Sequence, residues 1–388
     1  MTETAHSTPR LDFSHLTDPT EVGLIPAQVA ALEHVFRQQV ADGLHPGAQL
    51  LVARHGRVVV NAVAGYADRR HTRPVTPTTR FMAMSIGKSW LALTVLKLVE
   101  NGLLDLDAPI AHYWPEFGQG GKASATVRQA LLHQAGIPKR GMYRQLIHWP
   151  NWTRITTHVA RLPAEYPPGE KTAYHIVNFG FILGEVVRRV TGRMPDEVVR
   201  DTLIDPLGQL HTSYGLPDVL LAEGAELTSY QGAQRGAVWV FSLPIMRRAL
   251  LPASNFYTTA QDVAVLYQMM LNGGNYAGRR YLPSETVALA INPAFVGYDH
   301  TMQMPMAWGY GFQMGGHQDD SGQVIASMGD ASSHSTFGYA GQGSSLAWAD
   351  QRTSLLMVFL CNSLMGSQHA RQRRRAISNA VWATLADE

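Results

Sequence analysis

Residues 90–99 constrain this chain more than any other stretch. Trp90, Leu91, Leu93, Leu96, Leu98 and Val99 leave Lys97 as the only charged side chain there, before Asn101-Gly102 stops the helix. A helix that is apolar nearly all round must be covered on several sides, so it belongs in the interior of the protein. The chain is large enough to cover it: 388 residues, 45% apolar and only 16% charged. That length suits one large two-lobed domain, or two domains sharing a cleft.

The flanking patterns say what does the covering. A polar arm over 1–20, expected to be flexible, leads to Ile25-Pro26-Ala27 and a helix carrying Val29, Leu32, Phe36 and Val40. Apolar runs at 48–53 and 58–64 around Arg54-His55-Gly56-Arg57 read as a hairpin. Residues 107–250 change character. Helical patterns at 127–133, 179–190 and 195–204 alternate there with Pro- and Gly-rich loops. Beyond Leu251-Pro252, Thr259 starts a helix that ends at Asn272-Gly273-Gly274. Runs at 346–349 and 354–360 form a second hairpin, and the last helix covers about 370–385. The expectation is an α+β fold: an antiparallel sheet flanked by helices, built from 21–106 and 251–388. A mainly helical insert over 107–250 joins it, with the active site in the cleft between.

Composition removes several function classes. A net charge of +2 is too small for a nucleic-acid binder. The basic run Arg371-Gln372-Arg373-Arg374-Arg375 reads as the wet face of the last helix, in preference to a nucleic-acid patch. One cysteine, Cys361, excludes an intrachain disulfide, and its strand-like surroundings make it an inert core thiol. The 16 histidines are scattered without His-Glu-x-x-His, so no metal or other cofactor is expected. No apolar run approaches the roughly 18–20 residues that span a bilayer, and the opening residues lack a signal-peptide pattern. The reading is a cytoplasmic protein with neither a membrane nor a nucleic-acid partner; nothing indicates its oligomeric state.

Ser85-Ile86-Gly87-Lys88 stands where a loop enters the apolar helix. Serine and lysine three positions apart share a helix face. In an apolar setting desolvation lowers the ammonium pKa, so Lys88 could take the Ser85 proton and make the hydroxyl a nucleophile. The chain has only five lysines against 27 arginines, which makes a chance match less frequent. The alternative has Ser85 as a helix cap and Lys88 as a snorkelling side chain.

Two further stretches add to this tetrad: Pro167-Pro168-Gly169-Glu170-Lys171-Thr172-Ala173-Tyr174-His175, and Phe337-Gly338-Tyr339-Ala340-Gly341-Gln342-Gly343. Together the three resemble the serine β-lactamase and penicillin-binding-protein superfamily, in particular its class C-like branch and the family VIII carboxylesterases. The resemblance implies a nucleophile Ser85, an activating Lys88 and a second base Tyr174, whose anion nearby lysine charge would favour. It also implies an oxyanion hole from the backbone N–H groups of Ser85 and Gln342, just after Gly341. Two departures carry information. Ile176 stands where β-lactamases have a substrate-holding asparagine, with Asn178 further along. Tyr339 stands where they have a lysine that binds the substrate carboxylate. Both departures favour a carboxylesterase acting on small neutral esters through an acyl-enzyme. An acyltransferase, β-lactamase or D-aminoacyl peptidase is the alternative, and a non-catalytic binding module is more remote. His175, Arg140 and Trp239 join Tyr339 and Gly341 as candidate substrate contacts. Trp149, Trp152, Phe241, Met142 and Tyr143 either line a pocket or, more simply, fill core.

Overall fold

The N-terminal hairpin forms, and it becomes part of a much wider sheet. The computed structural model describes residues 10–138, 145–317, 328–343 and 345–386. In it, β1 (Gly47–Arg54) and β2 (Arg57–Gly65) are joined through His55 and Gly56 at φ 53° and 75°, the left-handed turn that matches strand twist. The later strands are β3 (Phe295–Asp299), β4 (Met304–Gly309), β5 (Phe312–Met314), β6 (Thr336–Ala340), β7 (Leu346–Asp350) and β8 (Leu355–Cys361). They complete an antiparallel eight-stranded sheet in the order β2-β1-β8-β7-β6-β5-β4-β3. Strand β8 is buried along its whole length, as a run of uninterrupted apolar residues requires.

The helices include α1 (Pro26–Ala41), α2 (Lys88–Glu100), α3 (Asn178–Thr191), α4 (Arg235–Ser242), α5 (Ala260–Leu271) and α6 (Ser367–Trp382), of which α1, α5 and α6 cover this sheet. On one face α1 and α6 pack Phe36, Ile377 and Trp382 against Val60, Trp348 and Phe359. Helix α5 lies on the other face, capped by Thr259, whose hydroxyl accepts the Asp262 N–H at 3.2 Å. Helix α2 is enclosed by α3 and the short helices Pro195–Val199 and Ser284–Ile291. Trp90, Leu91, Leu93 and Val95 are fully buried in α2. Each such side chain contributes about 1.5–3 kcal/mol.

Of the arm expected to be flexible over 1–20, residues 1–9 lie outside the described residues, and the rest, largely exposed, is held at two points. Leu11 is buried and its N–H donates to Tyr276 Oη at 3.2 Å. Thr17 N–H donates to Val58 O at 2.8 Å, covering part of the sheet's edge strand β2. The basic run, expected to be wet, is not uniformly so. Arg373 is 4% exposed and Arg374 only partly exposed, because backbone carbonyls on the loop after β6 draw both guanidinium groups inward. Cys361 is buried at the end of β8. Among the described residues no helix is long and apolar enough to cross a membrane, and no group of His, Cys, Asp or Glu could hold a metal ion.

Candidate active site

A short strand, Phe81–Met82, pairs with Phe256–Thr258 and delivers the chain into the 3-10 turn Met84–Gly87, from which α2 continues. Two local features hold this entry. Met84 has φ 53°, a left-handed conformation that a long side chain adopts only when its surroundings impose it. Gly87 leaves no room for a side chain, since a Cβ there would lie 2.6 Å from the Phe256 ring. Ser85 and Lys88 consequently sit on one side of the turn.

Lys88 Nζ donates to Ser85 Oγ at 2.9 Å and to Ala253 O at 2.8 Å. Its side chain is fully buried. Among the described residues no carboxylate pairs with it, and the rings of Tyr174 and Phe179 lie 4.9 and 5.9 Å from Nζ. Burial alone therefore holds the ammonium well below its ordinary value and favours the neutral amine. Ser85 keeps 8% of its surface exposed.

Tyr174 Oη donates to Ser85 Oγ at 2.8 Å. Burial is the largest influence on this phenol and pushes it up to about 12, while the hydrogen bond to Ser85 works the other way. Burial works against the expected phenolate favoured by lysine charge, since it lowers the Lys88 ammonium and raises the Tyr174 phenol, leaving Tyr174 as a proton donor to Ser85. Its ring stacks on Trp308 (5.5 Å, 2°) and takes the His133 ring edge-on at 4.7 Å. Its backbone N–H donates to Asp299 Oδ1 at 3.0 Å, and Asp299 Oδ2 accepts from Trp308 Nε1 at 3.2 Å. One carboxylate thereby fixes both members of the stack.

The third stretch approaches from β6. Gly341 is a glycine for a steric reason: a Cβ there would lie 2.6 Å from Ala83 O, two residues before Ser85. Among the described residues no backbone acceptor takes the N–H of Ser85 or of Gln342. Tyr339 joins the cluster, its ring 5.9 Å from Lys88 Nζ, yet it is only 1% exposed. It backs Tyr174 and offers substrate almost no surface.

Other expected contacts are not brought in. His175 is fully buried. Its Nδ1–H donates to Ala173 O at 2.7 Å, and its Nε2 accepts the Ile137 N–H at 3.3 Å, so it braces the backbone. Asn178 also serves that turn, donating to Ile137 O at 2.8 Å. Trp239 stands on α4 with 66% of its surface exposed. Trp149 and Phe241 pack on each other, and Trp152 donates to Glu185 at 2.7 Å, so these aromatics fill core. Arg140, Met142 and Tyr143 lie outside the described residues. Sequence reasoning missed Asp299, Trp308, His133 and the Ala253 carbonyl. Of these, His133 closes the helical pattern at 127–133 and Ala253 directly follows Leu251-Pro252.

Known proteins resemble this chain over most of its length. Residues 32–381 match the family described as Beta-lactamase. The chain is 30% identical over 377 residues to the esterase/beta-lactamase LipL of Mycobacterium tuberculosis, covering 88% of this chain and 83% of that protein. A penicillin-binding protein homologue from Caulobacter crescentus superposes with a TM-score of 0.78 at 30% identity, covering 94% of this chain and 99% of that one. A family VIII carboxylesterase superposes with a TM-score of 0.77 at 27% identity, over 94% and 99% of the two chains. With a match extending over most of its length and the fold to accompany it, the chain belongs to the beta-lactamase family of serine hydrolases.

Proposed function

We propose that the protein is a serine carboxylesterase that hydrolyses small neutral esters through an acyl-enzyme on Ser85. The observation that carries this reading is the meeting of Lys88 Nζ and Tyr174 Oη on Ser85 Oγ at 2.9 and 2.8 Å. Neutral Lys88 takes the Ser85 proton as Oγ bonds to the ester carbonyl carbon. The carbonyl oxygen gains negative charge, which the N–H groups of Ser85 and Gln342 stabilise. The alcohol departs with the Tyr174 proton, and the Lys88 ammonium restores it. A water then gives a proton to Lys88 as it adds to the acyl carbon, Ser85 Oγ leaves and takes that proton back, and the acid is released.

Preference for neutral esters rests on Ile176 and Tyr339. Neither side chain can supply the amide contact or the positive charge by which an anionic lactam or peptide would be held. LipL bears both esterase and beta-lactamase in its description, so β-lactam turnover by the same serine is the second reading. A panel of short-chain aryl esters assayed with Ser85→Ala tests the proposal, and unchanged turnover in that variant would end it. Intact mass after incubation with esters and a chromogenic cephalosporin separates the two readings. Retention of the carboxylic acyl group alone supports the esterase; rapid cephalosporin turnover supports the second.

A further inference from the structure

Helix α6 carries three consecutive arginines with different fates. Arg375 reaches outward and pairs with Asp330 at 2.7 Å. Arg373 and Arg374 turn toward the loop after β6. Arg374 Nη1 donates to Gly341 O at 3.0 Å, and Arg373 Nη2 donates to Gly343 O at 3.1 Å. Arg373 also meets His45 Nδ1 at 3.1 Å. Among the described residues no carboxylate pairs with either guanidinium, and burial pulls Arg374 down to about 10. Withdrawing two neighbouring cations from water without counter-ions is costly, so what they hold matters.

What Arg374 holds is one half of a particular peptide unit. The Gly341 carbonyl and the Gln342 N–H belong to the same planar trans amide, and they point to opposite sides of it. A charged donor on the oxygen fixes the plane and draws electron density from the nitrogen, which strengthens the N–H as a donor. The rest of the loop is tied down around this unit. Gly341 N–H donates to Ser345 O at 2.8 Å, and the Gln342 side chain bonds to that of Gln234.

We propose that Arg374, steadied by Arg373, is a positioning residue that orients and polarises the Gly341–Gln342 amide, making its N–H a stronger oxyanion donor. This rests on the oxyanion role assigned to Gln342 above. Its effect belongs to the transition state, where the carbonyl oxygen is charged, and not to binding of the uncharged ester.

The test compares Arg374→Met, Arg374→Lys and the surface control Arg375→Gln in the full chain, with a short-chain aryl ester as substrate. A trifluoromethyl ketone, which forms an oxyanion on the serine, and its unreactive hydrocarbon isostere are measured alongside. Arg374→Met is expected to lower kcat about tenfold or more, with KM within about twofold. It should weaken the trifluoromethyl ketone by a similar factor and leave the isostere unaffected. Arg374→Lys, which keeps a charged donor and the loop's packing, should recover part of the loss. An unchanged kcat in both variants overturns the inference, as does a loss shared equally by the isostere. Gln342→Pro deletes the N–H itself. Full activity there sinks the underlying oxyanion assignment, whereas lost activity there with unchanged Arg374 variants sinks only the arginine role.

Discussion

Gly341 presses on Ala83 so closely that an added methyl group would lie 2.6 Å from the Ala83 carbonyl oxygen. Both partners are backbone or bonded to it, so neither can swing aside. This contact sets how near the loop at Gln342 comes to the turn bearing Ser85. Gly341→Ala should push the two apart and lower kcat for aryl esters by about tenfold or more, since catalytic geometry tolerates little displacement. Ester kinetics beside a melting curve will check it, and wild-type kcat in a folded variant would contradict it.

Lys88→Met should abolish ester turnover, with kcat falling on the order of a thousandfold. It should also change stability in a pH-dependent way. The folded protein holds Lys88 well below its ordinary value, so between that depressed value and about 10.4 the unfolded chain binds a proton that the native state does not. Wild-type stability relative to the variant therefore rises with pH, by at most about 1.4 kcal/mol per unit. Denaturant titrations of both proteins at pH 6 to 9 measure this difference. A gap independent of pH would show that Lys88 is charged in the fold.

Tyr174→Phe keeps the stack on Trp308 and removes only the hydroxyl. We expect kcat to fall on the order of a hundredfold with aryl esters, and further with alkyl esters, whose alcohols leave less readily. Because burial pushes the phenol up to about 12, Tyr174 should add no alkaline loss of activity below that pH. Comparing the two ester classes across pH tests both statements.

Acid should unfold the protein through its buried histidines. His175 is lowered to about 4 by burial, and His45 and His133 lie well below the ordinary value for the same reason. Each is neutral in the fold and takes up a proton when unfolded below about 6.5. Stability they contribute is complete above that value and drains away as pH falls toward 4. Melting midpoints from pH 7 to 4 should drop steeply. His175→Ala should lower the midpoint with little change in KM, as befits a backbone brace.

The parts of this architecture written in local spacing were the legible ones. Both hairpins, the capped helix at Thr259 and the wholly apolar α2 announce themselves within a few residues. Ser85 and Lys88 lie one turn apart, and Tyr174 and Gly341 stand in short stretches with a family likeness. What spacing cannot show is a partner far along the chain. Asp299 braces Tyr174 from 125 positions away, and the Ala253 carbonyl meets Lys88 across 165. Arginine side chains at helix positions 373 and 374 look solvated in any local window. Only the return of a distant loop supplies the carbonyls that bury them. The reading of Tyr174 as an anion overlooked burial for a related reason, since the depth that lowers Lys88 and raises Tyr174 is a property of the assembled molecule.

The sheet order carries a last consequence, for the timing of synthesis. Strand β1, made among the earliest, has β8, completed at Cys361, as its inner neighbour. The helix that grips the Gln342 loop ends only at Trp382. On a growing chain the serine turn waits for its partner strand Phe256–Thr258, and its opposing loop stays unanchored until the helix through Trp382 has emerged. Competence therefore waits for this helix, and truncation ahead of it should leave the serine present and its surroundings unbuilt.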